Sequence, residues 1–131
     1  TANGLRDRQG RLRLEVYPPG NDEFLADDNV LLNAGKTFRR VDIAVPASGP
    51  ATLCVRLPSA GTYTVSLLHD RDANRRFGFS IDGVGFSNNP RLGLARPSAR
   101  SVRVIAGGGV TPLSIVMNYR RGLLSVGPIE Q

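Results

Sequence analysis

The chain has a single histidine, His69, followed at once by Asp70, Asp72 and Asn74, with Asp82 further along. Oxygen donors at alternate positions can converge on one hard cation, as at the start of a calcium loop, where a tight turn aims every second side chain inward. The rest of such a loop is missing. Its sixth position is Arg75 instead of Gly, and its twelfth is Ile81 instead of Glu, with Asp82 one residue late. Arg71, Arg75 and Arg76 set three positive charges beside Asp70, Asp72 and Asp82. Calcium held by Asp70, Asp72, Asn74 and Asp82 is one reading; a turn held by Asx hydrogen bonds and Asp–Arg pairs is the favoured one.

Catalysis finds less support. A Ser–His–Asp device would have to use His69, but on a strand its neighbour Asp70, and Ser66 three residues back, face the opposite side. Ser87 follows Gly85-Phe86, yet Asn89 stands where a nucleophile elbow needs its second Gly. No cysteine or histidine pair is available for zinc. Gly83-x-Gly85 lacks the third glycine of a dinucleotide fingerprint. The expectation is a protein that is not an enzyme and needs no cofactor, calcium excepted. Three arginine pairs, Arg39–Arg40, Arg75–Arg76 and Arg120–Arg121, offer planar forks for anions. Of these, Arg75, Arg76, Arg120 and Arg121 are the candidate anion contacts, weighed against an ordinary solvated surface. Phe77, Phe79 and Phe86 either pin the polar segment to the core or line a small apolar pocket.

These residues need a scaffold, and the chain reads as short strands between Gly/Pro turns. "RLRLEVY" alternates Leu12, Leu14 and Val16 with charged residues, so one face is buried and one wet. Residues 21–36 are an acidic loop with room for a helical turn. "FRRVDIAVP" and "TLCVRLP" read as strands, and Cys54 in the latter as a small buried side chain. "TYTVSLLH" puts Tyr63, Val65, Leu67 and His69 on one face and Thr64, Ser66 and Leu68 on the other. "RSVRVIA" and "PLSIVMNY" flank Gly107–Gly109 and suggest a hairpin. "LLSV" in the tail could add a short strand. The expectation is an all-β, single-domain antiparallel β-sandwich of about seven strands over residues 10–119. A flexible segment, 1–9, would precede it, a tail, 120–131, would follow it, and a long ordered crossover loop would run near residues 70–100. A closed small barrel is the structural alternative.

Composition sets the outer limits. The chain has 131 residues, one ordinary domain, and one cysteine, so no intramolecular disulfide forms. No apolar run is long enough to span a bilayer as a helix. The net charge is +6, and sixteen of seventeen basic residues are arginine. Without stacking aromatics among them, nucleic acid is an unlikely partner. Residues 21–35 carry four acids and no base, whereas residues 83–131 carry six arginines against Glu130. That split could steer an anionic partner.

Together, "AGTYTVSLLHDRDANRRFG", "GFSNNP", "ARPSA" and a last strand ending in Tyr119 resemble a bacterial secreted family, domain of unknown function 2141. By position, His69, Asp70, Asp72 and Asn74 match that family's loop, and Gly85, Phe86, Ser87, Asn88 and Asn89 its second motif. Arg75 replaces the loop's Gly, and Gly78 its later Asp. The resemblance implies a prealbumin-like β-sandwich, periplasmic or secreted, in which the two motifs satisfy backbone groups along the crossover. The function expected is an exported, non-enzymatic binding or accessory module of the cell envelope, whose partner is an envelope component, anionic or lipid-like. A carrier of a small hydrophobic molecule and a calcium-stabilised module are the alternatives.

Overall fold

The computed structural model describes residues 1–79, 81–93, 95–121 and 125–129. In chain order its elements are β1 (Ala2–Asn3), β2 (Arg11–Tyr17), α1 (Asp28–Asn33), β3 (Arg39–Ala44), β4 (Gly61–Asp70), β5 (Gly83–Phe86), α2 (Ala99–Val102), β6 (Arg103–Ala106), β7 (Ile115–Val116), β8 (Tyr119–Arg120) and β9 (Val126–Gly127). The chain is mostly β, as expected, and its main sheet is antiparallel. That sheet runs β3-β2-β4-β5, with β6 also on β4. β4 pairs with β5 through Ser66–His69 and with β6 through Gly61–Thr64, so β5 and β6 lie end to end along one side of it. β1 and β7 form a short parallel pair, and β8 and β9 an antiparallel one.

Period-two alternation decides which side chains go where. Leu12, Leu14 and Val16 of β2 join Tyr63, Val65 and Leu67 of β4 in a first core, closed by Ile115, Met117 and Tyr119. The opposite face of the sheet is covered in part by a second core of Tyr17, Phe24, Leu31, Phe38, Phe86, Ala99 and Val102. Its rings meet edge to face, with Tyr17 5.3 Å from Phe38 and 5.9 Å from Phe24. Both helices serve this cover. Asp27 caps α1 by accepting from the Asn29 and Val30 amides, and Ser98 caps α2 through the Ser101 amide. The acidic segment is therefore a lid over aromatic side chains, and its charges are largely used there. Glu23 pairs with Lys36 and Asp28 with Arg40.

Several local expectations change. β6 and β7 do not form a hairpin; β6 takes the free side of β4, and β7 pairs with β1. Residues 52–57 keep their alternation without joining a ladder of the described residues. Leu53, Val55 and Leu57 turn toward the first core, which turns Cys54 outward, and it is exposed instead of buried. The crossover of residues 70–100 is two excursions separated by β5. Residues 1–9 lie against the body: β1 pairs β7, and Ala2 is buried. In the tail, β9 pairs β8, while Leu123 and Leu124 of "LLSV" lie outside the described residues.

Candidate functional site

The polar turn after β4 is tied by its own acids. Asp70 accepts from the Asn74 and Arg75 amides at 3.2 and 2.8 Å. Asp82 accepts from the Arg71 and Gly78 amides at 2.9 and 2.8 Å. These bonds hold Ala73 and Arg75 in the left-handed region, at φ 54° and 68°. Carboxylate oxygens of Asp70, Asp72 and Asp82 come within 4.8 Å of one another. Asp72 is exposed. Even so, partial desolvation, a hydrogen bond shared with Asp70 and the charge of Asp82 hold its carboxyl above the usual range. Asn74 does not join them, because its Oδ1 accepts from the Arg76 amide at 2.9 Å. Two of the three carboxylates already accept from backbone N–H groups, and calcium takes six to eight oxygens, so further donors would have to complete its shell.

His69 faces the other way, wholly buried in the first core. Its Nε2 lies 2.8 Å from the Gln9 carbonyl oxygen and its Nδ1 2.6 Å from the Tyr119 hydroxyl. A carbonyl only accepts, so Nε2 carries a proton, and in the neutral ring Nδ1 accepts from Tyr119. The Tyr119 oxygen in turn accepts from the Arg6 amide at 3.1 Å. The imidazole favours its neutral form. Burial pushes it down, and the Gln9 carbonyl and the Asp7 carboxylate, which favour its cation, do not offset that. Asp7 receives Arg71 Nη2 at 2.5 Å. Burial raises the Asp7 carboxyl, but Arg71 and the Gln9 amide outweigh it and keep the group below its ordinary value. Burial pushes the Tyr119 phenol up to about 12. Hydrogen bonds of Arg6, Asp7 and Gln9 with Tyr119, Arg71 and His69 tie the segment 6–9 to the sheet.

The second motif splices the sheet. Val65 falls between the β5 and β6 pairings. Ser87 fills the gap: its Oγ accepts from the Val65 amide at 3.2 Å, and its own amide donates to the Val65 carbonyl at 3.1 Å. Its hydroxyl also donates to the Val102 carbonyl. Asn88 and Asn89 turn the chain away at φ 66° and 49°. The Asn88 amide donates to the Arg103 carbonyl at 2.7 Å, and Asn89 bonds Ser114 and Val116 at 3.0 and 2.8 Å like a missing strand. Gly83 and Gly85 face the first core, where a Cβ would lie 2.3 Å from Tyr119 and 2.5 Å from Ile115. Only glycine fits such close approaches.

An open cavity of about 350 Å³ lies on the outer face of β4 and β5. Leu68, Val84 and Phe86 contribute to its lining, with Phe77 and Phe79 from the first excursion and Leu92, Ala95, Arg96 and Pro97 from the second. Phe86 is buried in the second core, whereas Phe77 is 50% exposed and Phe79 38%. The two outer phenylalanines are not in either buried core. They present apolar surface to the groove. Among the described residues, two charged ones line it. Glu15 accepts from Arg40 at 2.7 Å and from the Tyr17 hydroxyl at 2.8 Å. Among the described residues Arg96 hydrogen-bonds carbonyls alone, those of Phe24 and Asn21, at 2.8 and 3.2 Å.

Two of the arginine pairs, Arg39–Arg40 and Arg120–Arg121, have members engaged elsewhere. Arg40 is engaged by Glu15 and Asp28, Arg120 has its guanidinium carbon 5.5 Å from the Phe79 ring, and Arg121 reaches the Pro128 carbonyl. Sequence reasoning missed Leu68, Val84 and Arg96, which look like ordinary strand and loop residues. It also missed Asp7, Gln9 and Tyr119 around His69; a lone histidine on an apolar strand face was the available signal. A model of a protein family described as uncharacterised protein conserved in bacteria (DUF2141) matches residues 1–114. No curated protein and no solved structure matches the chain.

Proposed function

The chain belongs to the bacterial family DUF2141, and from that premise we propose an exported, non-enzymatic β-sandwich module, prealbumin-like in its layering, that binds a small hydrophobic molecule of the cell envelope in the groove over β4 and β5. One observation carries this reading: an open cavity of about 350 Å³ lined mainly by apolar side chains, two of them phenylalanines left half-exposed. That volume falls at the lower end of the range for small-molecule sites. Water covers such a surface at a cost of about 25 cal/mol per Å² of apolar area, which an apolar ligand recovers. The non-enzymatic part rests on His69, the obvious acid–base candidate, being spent on Gln9 and Tyr119. The neutral fluorophore N-phenyl-1-naphthylamine tests the reading. It should brighten on addition of the protein, and Phe77→Ser should weaken its binding about tenfold with the melting temperature unchanged. No enhancement with the unaltered protein sinks the reading.

A second reading, a calcium-stabilised turn, is favoured by the approach of Asp70, Asp72 and Asp82. Under it, calcium at a hundred times its Kd stabilises the fold by about 2.7 kcal/mol. A melting temperature that ignores millimolar calcium removes it.

A further inference from the structure

The groove's charge narrows its ligand, on the premise that the groove is the binding site. The one acid among its described lining residues, Glu15, is already neutralised by Arg40. Its one base, Arg96, has no carboxylate partner among the described residues and spends its bonds on neutral carbonyl oxygens. Arg75 and Arg76 directly precede Phe77, and both side chains are exposed, with no hydrogen bond or ion pair to a described residue. Their backbone, in contrast, is fixed: the Arg75 amide donates to Asp70, the Arg76 amide to Asn74, and the Arg75 carbonyl accepts from Arg13. Phe77, which lines the groove, thus directly follows two exposed arginines without a described side-chain partner, and a third arginine, Arg96, is in the lining.

We propose that the groove accepts a single-chain amphiphile with an anionic head, the alkyl chain against Phe77 and Phe79 and the head among Arg75, Arg76 and Arg96. A guanidinium meets a carboxylate or phosphate with charge-assisted hydrogen bonds that a neutral head cannot make, and a cationic head is repelled.

Calorimetric titrations with decanoate, 1-decanol and decyltrimethylammonium, all below micellar concentrations, separate the possibilities. Decanoate should bind at least tenfold tighter than 1-decanol, with decyltrimethylammonium weakest and inorganic phosphate alone not measurably bound. The double substitution R75Q/R76Q sits on exposed side chains, so the melting temperature should hold. It should shrink the gap between decanoate and 1-decanol to under threefold without changing 1-decanol binding, and 0.5 M NaCl should shrink it as well. Equal binding of decanoate and 1-decanol, a gap untouched by R75Q/R76Q, or phosphate binding as tight as decanoate each overturns the anionic-head assignment while the groove stands. Failure of all three amphiphiles to bind removes the groove reading along with it.

Discussion

Replacing Tyr119 by Phe removes one hydroxyl and leaves two groups unpaired, His69 Nδ1 and the Arg6 amide. The expected cost is about 1–3 kcal/mol, read from the urea midpoint. The same histidine sets a pH dependence. Its folded pKa lies below the ordinary 6.5, so the unfolded chain takes up the proton first as pH falls. Stability is full above about pH 6.5 and declines below it until the folded imidazole also titrates. A second decline follows further down. Burial raises the Asp42 carboxyl, but Arg11 and Arg13 lower it more, and Asp7 behaves alike with Arg71. Their contribution is present above the ordinary carboxylate value and is lost as pH falls through the folded one. With one histidine in the chain, a proton NMR titration gives its pKa directly, and a value of 6.5 or more contradicts the neutral, locked imidazole. At this scale the sequence marked His69 and Asp70 as special but not what they touch. Gln9, Asp7 and Tyr119 are distant in the chain, and only the closed fold brings them near.

Elements raise a different question, since the main sheet contains a break. Ser87→Ala leaves the Val65 amide and the Val102 carbonyl without their bridging hydroxyl. A loss of about 1–3 kcal/mol is expected, with faster hydrogen exchange at Val65 than at its ladder-bonded neighbours. Gly83→Ala should cost more than a usual Gly-to-Ala change, because its Cβ meets the Tyr119 ring at 2.3 Å; a melting temperature at or above the parent's contradicts that packing. Strand positions were legible wherever alternation was clean, as in "RLRLEVY" and "TYTVSLLH". Pairing was not. "RSVRVIA" and "PLSIVMNY" have hairpin spacing, but the vacant side of β4 below Val65 and the parallel partner at Ala2–Asn3 compete better. Those are non-local choices, invisible to a period count.

The whole molecule rests on two cores on opposite faces of one sheet, and they should respond differently. Phe24→Ala empties part of the second core at an expected cost of about 3–5 kcal/mol. Exchange should rise first across residues 21–38, while amides in β2 and β4 keep their protection; loss of protection in β2 at the same denaturant concentration would contradict this division. The β class could be read from alternation and turn residues, because a strand with one buried face writes itself into sequence. The second core could not, since Tyr17, Phe24, Phe38 and Phe86 belong to four separate segments with no shared period. The spliced edge at Ser87 carries a consequence of its own. The chain leaves the sheet at Asn88 and returns at Arg103, with entry and exit clasped together by Ser87 and Asn88, while Asn89, Ala99 and Val102 stay tied to the body; Leu92, Ala95 and Arg96 lie between these anchors. Doubling the length of such an excursion costs only about 0.6 kcal/mol. Leu92, Ala95 and Arg96 could therefore be exchanged for a longer or differently charged stretch, and one scaffold could be refitted for another cargo without moving a strand.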